Sequence, residues 1–177
     1  MPGIEAAGIR SMTTEQAFAA TAVSSWKQII GRLNDAVASL TDEELQRQIA
    51  PNKNRVIYVV GHLIAVGDRM FPLLGIGERH YPQLDDVYLT NPDRRLPDPL
   101  STDELKKAWT DVHSRLTAAF EAMTPSQWLE KHTAVSDEDF AKEPLRNRLA
   151  VFLSRINHVS FHGGQLVLTK DAPATNA

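Results

Sequence analysis

The residues with most chemistry to offer lie near the C-terminus, in Asn157-His158-Val159-Ser160-Phe161-His162-Gly163-Gly164-Gln165. His158 and His162 are four positions apart, which on an α-helix puts them one turn from each other on one face. Two neutral imidazoles so placed can chelate one cation, and a third ligand must then come from elsewhere in the fold. His62 is the best candidate, because it sits at the edge of the apolar arc of another helical segment, from where it can face the same groove. Three imidazoles leave coordination positions open on Zn2+, Ni2+ or Fe2+, where a water or a substrate thiolate is activated. Imidazole is borderline in softness and does not choose among these metals. Gln165 is placed to orient a ligand or the surroundings of the metal. Tyr58, one turn before His62, either aims its hydroxyl at the groove or is a half-buried bundle residue. The spacing also fits two incidental histidines on a solvated face. Against that, their neighbours on the same side of the helix (Val151, Ser154, Gln165 and Thr169) are uncharged, as the lining of a groove requires.

Composition narrows the chemistry further. There is no cysteine, so disulfides, thiolate metal sites and cysteine nucleophiles are excluded, and any metal must use histidine, carboxylate, amide or water. The absence of cysteine also fits a reducing, cytoplasmic setting. A net charge of -3 gives no electrostatic reason to bind nucleic acid or an acidic membrane. No apolar run is expected to span a bilayer, and the first residues lack the basic and apolar regions of a signal peptide. A chain of 177 residues with 42% apolar content is long enough for one domain with a real core.

The elements that must position these residues are helices. An apolar stripe of Ala19, Ala22, Trp26, Ile30, Leu33 and Val37 predicts a first long helix from about Thr14. Thr41-Asp42-Glu43-Glu44 reads as a capping box that opens a short helix. A second long helix is predicted over residues 55–74, ended by Gly75-Ile76-Gly77. Residues 75–100 carry Pro82, Pro92, Pro97 and Pro99 without a clear period and read as a long loop, either functional or wrapping the bundle. Ser101-Thr102-Asp103-Glu104 is a second capping box. It starts a third long helix whose stripe is Leu105, Trp109, Val112, Leu116 and Phe120. Thr124-Pro125 starts a short helix. Residues 131–143 read as a polar loop, and residues 145–168 as the fourth long helix, with an apolar stripe of Leu149, Phe152, Leu153, Ile156, Val159, Gly163 and Leu166/Val167. Trp26 and Trp109 belong to the core. Asp68, Arg69, Glu43 and Glu44 read as helix surface and cap, and His80, His113 and His132 as exposed. The fold class is all-α. The expected architecture is a four-helix bundle with one or two short extra helices and a long Pro-rich loop, a single domain over 13–170 between flexible tails at 1–12 and 171–177.

His158-Val-Ser-Phe-His162-Gly-Gly-Gln165 resembles the terminal-helix motif H-x-x-x-H-x-G-Q of the DinB family, also called the YfiT-like metal-dependent hydrolases. Val59-Val60-Gly61-His62-Leu63-Ile64 resembles that family's second-helix segment, where the first metal histidine precedes an apolar pair. Leu40-Thr-Asp-Glu-Glu-Leu45 is similar to the link between its first two helices. The likeness runs from about residue 14 to 170. It implies a four-helix bundle holding a divalent metal ion on His62, His158 and His162, often as a homodimer. It also implies the kinds of chemistry found in the family: metal-dependent transfer to a low-molecular-weight thiol such as bacillithiol or mycothiol, or hydrolysis, with a small electrophilic molecule as substrate. A non-catalytic ligand-binding or stress-related bundle, with a structural metal or none, is the alternative. Gly163 departs from the family pattern, which often has arginine there. On the apolar side of its helix, Gly163 permits close packing instead.

Overall fold

Helix starts are written into the sequence as reciprocal side-chain caps. In the computed structural model, which describes residues 12–170, α1 (Thr14–Ala38) opens where Thr13 and Gln16 exchange hydrogen bonds, each side chain taking the other's backbone N–H. The same exchange between Thr41 and Glu44 starts α2 (Asp42–Gln46). These bonds satisfy N–H groups that the first helical turn leaves without a partner. Next come α3 (Val56–Asp68) and α4 (Met70–Leu74), separated by Arg69 alone, which is itself in helical geometry. The single predicted helix over 55–74 is therefore interrupted. The cause is Pro72, which has no N–H to donate to the carbonyl of Asp68. Gly75, in the left-handed region at φ 64°, ends the run.

After the 75–100 connection, Ser101 and Glu104 cap α5 (Thr102–Ala122), and Thr124 and Gln127 cap α6 (Pro125–Leu129), with Pro125 in its first turn. Residues 131–143, read from sequence as loop, contain a further short helix, α7 (Asp137–Lys142), which starts at Ser136. The last element, α8 (Arg148–Lys170), opens at Asn147, whose Oδ1 accepts from Ala150 N. Among the described residues there is no strand, only isolated bridges at Gln48–Arg55 and Lys131–Asn147. The all-α expectation holds. The tails expected at 1–12 and 171–177 lie, apart from Met12, outside the described residues.

Contacts along the helices fix their directions. Trp26 meets Phe120 with ring centroids 5.3 Å apart, while eight residues later Asn34 accepts from Trp109 Nε1 at 2.8 Å. So α1 and α5 are antiparallel. Trp26 also meets Phe152, and Leu33 lies against Gly163, so α1 and α8 run parallel. His62 lies beside His158, and Gly75 beside Arg148, so α3–α4 opposes α8. The order is up, down, down, up. The two parallel central helices need a connection that returns along the length of the bundle. A Cβ on Gly163 would approach Leu33 Cδ2 to 3.1 Å, which is why glycine suits this crossing.

The core is one contiguous cluster in which Trp26, Trp109, Trp128, Phe120 and Phe152 are fully buried. Trp26 Nε1 donates to Thr117 Oγ1, so this buried polar edge is satisfied. The stretch Val56–Leu74 is long and apolar enough to cross a membrane, contrary to the sequence expectation that no segment is, yet two-thirds of it (67%) is buried within the bundle. Its apolar side chains form the core.

The 75–100 connection is not a bare loop. It lies antiparallel along one face of α3, and Asp86–Thr90 forms a π-helical turn whose Tyr88 is buried. Asp68, read from sequence as surface, is 0% exposed. Its carboxylate accepts from the backbone N–H groups of His80 and Tyr81 and from Arg79 Nε. A buried carboxylate stays in place here because three donors surround it. Farther along, Tyr58 donates to Asn91 O at 2.7 Å, and Arg55 forks onto Asp93 and Asp98.

Candidate metal centre

Each of the three histidines reaches the same point by a different local route. His62 sits on α3 where the π-helical turn crosses it. Gly61 makes that crossing feasible, since a Cβ there would stand 2.5 Å from the Tyr88 ring. With the turn seated, Tyr88 O lies 3.0 Å from His62 Nδ1 and accepts its proton. A carbonyl oxygen only accepts, so His62 carries its proton on Nδ1 and presents the lone pair of Nε2. His162 is held the same way from within α8: Gln165 Oε1 lies 2.7 Å from its Nδ1, which leaves Nε2 free. His158, one turn before it, brings Nε2 to 3.1 Å from His62 Nε2.

The result is a triangle of rings with centroids 4.6 to 5.2 Å apart. One nitrogen from each ring lies within 4.8 Å of the others, close enough to share one metal ion. All three residues are half-buried. Burial lowers the pKa of His62, with the bond to Tyr88 O opposing and His162 and Arg155 adding, and burial pulls that of His158 down to about 4, with Arg155, His162 and His62 adding in the same direction. His62 and His158 are therefore neutral at pH 7, the form that binds metal. The donor set fits a divalent cation. Two of the three outer nitrogens are bonded to oxygen acceptors that fix ring orientation, the usual support for histidine ligands. No cysteine exists in the chain and no carboxylate lies among the clustered residues, so the three imidazoles are the ligands this cluster could offer a metal.

Of the residues singled out from sequence, His62, His158, His162 and Gln165 are brought together. Tyr58 is placed differently. Its hydroxyl is taken up by Asn91 O, and its ring packs edge-on against Tyr88, 5.7 Å between centroids. It touches the residue that holds His62 rather than the groove. His80 is half-exposed, with Nδ1 3.5 Å from Asp111. His132 is half-buried and its Nδ1 is buried without a partner. His113, expected to be exposed, is 1% exposed between α3 and α5, where it donates from Nδ1 to Trp109 O and lies against the Trp109 ring. It is a core residue.

Arg155 was not singled out from sequence, and it overturns the expectation that the histidines' side of the helix carries no charge. It precedes His158 by three positions and so shares its face of α8. Its Nη1 lies 3.2 Å from His158 Nδ1. The guanidinium is desolvated enough to lower its pKa to about 10, and its Nε is buried without a partner. The i, i+3 spacing to His158 was the available signal.

A protein described as the conserved protein of locus from Enterococcus faecalis has a solved structure similar to this one, with a TM-score of 0.60, 17% identity, and coverage of 90% of this chain and 96% of that one. At that identity the likeness concerns the fold alone. No curated protein sequence matches the chain. The family model described as the DinB superfamily matches residues 25–166, a span that holds all three histidines and Gln165. A match over most of the chain, with the same motif residues meeting in space, makes this protein a member of the DinB superfamily.

Proposed function

We propose that this protein binds one divalent metal ion through His62, His158 and His162, and that the centre works on a small electrophilic molecule as a thiol S-transferase or hydrolase. The observation that carries the reading is the meeting of His62 with His158 across 96 positions of chain, where one nitrogen of each, and one of His162, lie within 4.8 Å of one another. Residues so far apart in sequence converge on a polar point inside an apolar bundle at a cost in desolvation, which a bound cation offsets. A cation held by three imidazoles supplies Lewis acidity toward a thiol or a water.

The chain's own residues prepare that site. Tyr88 O and Gln165 Oε1 fix the rings of His62 and His162. Burial keeps His62 and His158 uncharged, so metal binding at neutral pH need not expel the second proton of an imidazolium from either. The other members of the divalent series compete for such a ligand set, so the metal is chosen by supply as much as by the site.

Metal analysis and calorimetry on untagged protein test the reading. Wild type should take up one equivalent of Zn2+, Ni2+ or Fe2+, and His158→Ala should lose tight binding while keeping its helical circular dichroism. Equal metal content in the two proteins removes this ligand set. Loss of a low-molecular-weight thiol in the presence of a model electrophile, absent in His158→Ala, supports transfer chemistry. Metal binding without turnover across several thiols, and without hydrolysis, favours a ligand-binding role.

A further inference from the structure

Arg155 is a cation placed beside the histidines with nothing negative to answer it. Among the described residues it makes no ion pair with a carboxylate; its hydrogen-bond contact is Nη1 to His158 Nδ1 at 3.2 Å, and its Nε is buried without a partner. The other largely buried arginines differ. Arg55 is forked onto Asp93 and Asp98, and Arg79 onto Asp68 and Asp85. Nor does α8 offer a counter-charge, because from Arg148 to Lys170 it contains no aspartate or glutamate. A desolvated guanidinium without an anion is costly, and proteins retain one where a ligand supplies the missing charge.

The hydrogen-bond pattern makes this cation available when the site is loaded. A guanidinium only donates, so His158 Nδ1 accepts from Arg155, and its ring proton sits on Nε2, directed at the lone pair of His62 Nε2. To offer Nε2 to a metal as a neutral ligand, His158 must carry its proton on Nδ1. That nitrogen then no longer accepts, and the Arg155 N–H is left free beside the centre.

We propose that the ligand of this site carries a carboxylate, which pairs with the guanidinium of Arg155 next to the three-histidine centre. The proposal rests on the metal-binding reading above. The planar guanidinium matches a planar carboxylate through two parallel N–H···O bonds, a fit that a lone lysine or a neutral donor cannot give. Arg155, which reaches the outer nitrogen of His158, and the cation on its inner nitrogen are two positive groups within one imidazole of each other, and both attract an anion. A neutral electrophile would leave the guanidinium as unsatisfied as before.

Cobalt substitution separates the two ideas. The protein is loaded with Co2+, and benzoate is titrated while the visible d–d bands are followed, with inorganic phosphate and benzamide as parallel probes. The wild type should bind benzoate in preference to benzamide and phosphate. Arg155→Gln should bind Co2+ at least as well as wild type, because His158 Nδ1 is released, yet bind benzoate about tenfold or more weakly, as loss of a charged hydrogen bond implies. Arg155→Lys should fall between them. Equal benzoate affinity in wild type and Arg155→Gln, both loaded with Co2+, overturns the carboxylate proposal and leaves the metal reading intact. Arg155-dependent binding of phosphate in preference to benzoate also overturns it. If Co2+ does not bind to wild type at all, the metal reading fails and this one with it.

Discussion

The outer nitrogens of the three imidazoles are not equivalent, and this sets what each neighbour contributes. His62 and His162 are tied to oxygen acceptors and have their inner lone pairs ready. Gln165 does this for His162 from one turn away, so Gln165→Leu should leave the ring free to rotate and the tautomer unset. Metal affinity should drop between about tenfold and a hundredfold, the usual cost of losing such a support, as read by competition with a chelating dye. The fold should be unaffected, since Gln165 is only partly buried. His113 shows the opposite use of an imidazole. It is fully buried, and burial brings its pKa down to about 4, with the bond to Trp109 O opposing weakly. The unfolded chain binds that proton near pH 6.5 and the folded chain near 4, so stability is complete above 6.5 and is lost as pH falls toward 4. His62 and His158 shift in the same direction and share the acid limb. His113→Phe keeps an aromatic ring against Trp109 and removes one titrating group. Urea unfolding at pH 7 and pH 4.5 should show a smaller acid loss in the variant, by roughly 2 to 3 kcal/mol. Equal losses would mean that His113 is protonated without cost in the fold.

At the scale of elements, the connection over 75–100 sets the register of the site. Asp68 and Arg69 at the end of α3, His62 and Tyr58 within it and Arg55 just before it meet, in order, residues 79–81, Asp85, Tyr88, Asn91, and Asp93 with Asp98. The segment therefore lies antiparallel on the helix, and the contact at Tyr88 is the one that fixes His62. Gly61→Ala tests this link. The added Cβ would sit 2.5 Å from a buried tyrosine ring, and neither helix nor ring can yield cheaply. Stability should fall by about 1 to 3 kcal/mol, the range for overpacking, with faster amide exchange in Asp86–Thr90 and weaker metal binding. Unchanged exchange there would show that the turn is not held by this contact. The same element marks the limit of what periodicity reveals. His158 and His162 were legible because both lie on one regular helix, where spacing translates into direction. The partnership of His62 was legible only as the edge position of a second helix. Its hold by Tyr88 O was not, because a π-helical turn stabilised by tertiary contacts leaves no repeat in the sequence. Asp68 looked like surface for the same reason: its partners are backbone N–H groups of a segment without a pattern.

For the whole molecule, four long amphipathic stripes and two capping boxes were enough to anticipate an all-α bundle, since caps and 3.6-residue periodicity act within one turn of chain. The direction of the helices was not contained in those local signals. It depends on whether residues 75–100 turn back at once or travel the length of the bundle, and that rests on ion pairs and packing between segments distant in sequence. Arg55 is the anchor at the far end, with its side chain 9% exposed and those of Asp93 and Asp98 8% and 21%. Arg55 NH groups reach both carboxylates at 2.6 to 3.1 Å, and its backbone N–H donates to Asp93 as well. Arg55→Met would leave two carboxylates facing each other in a largely dry pocket. The loss should be about 3 to 5 kcal/mol, the range for breaking one partner of a buried pair. Lys142→Ala, which removes the exposed pair with Glu138, should cost well under about 1 kcal/mol. Adding Asp93→Asn and Asp98→Asn to Arg55→Met should restore much of the loss, because the remaining penalty is the uncompensated charge and not the missing attraction. Urea unfolding of the four proteins at pH 7 measures this. If Arg55→Met is no worse than Lys142→Ala, the return path of the crossover is held by packing of Leu84 and Tyr88 alone, and the ion pairs only follow it.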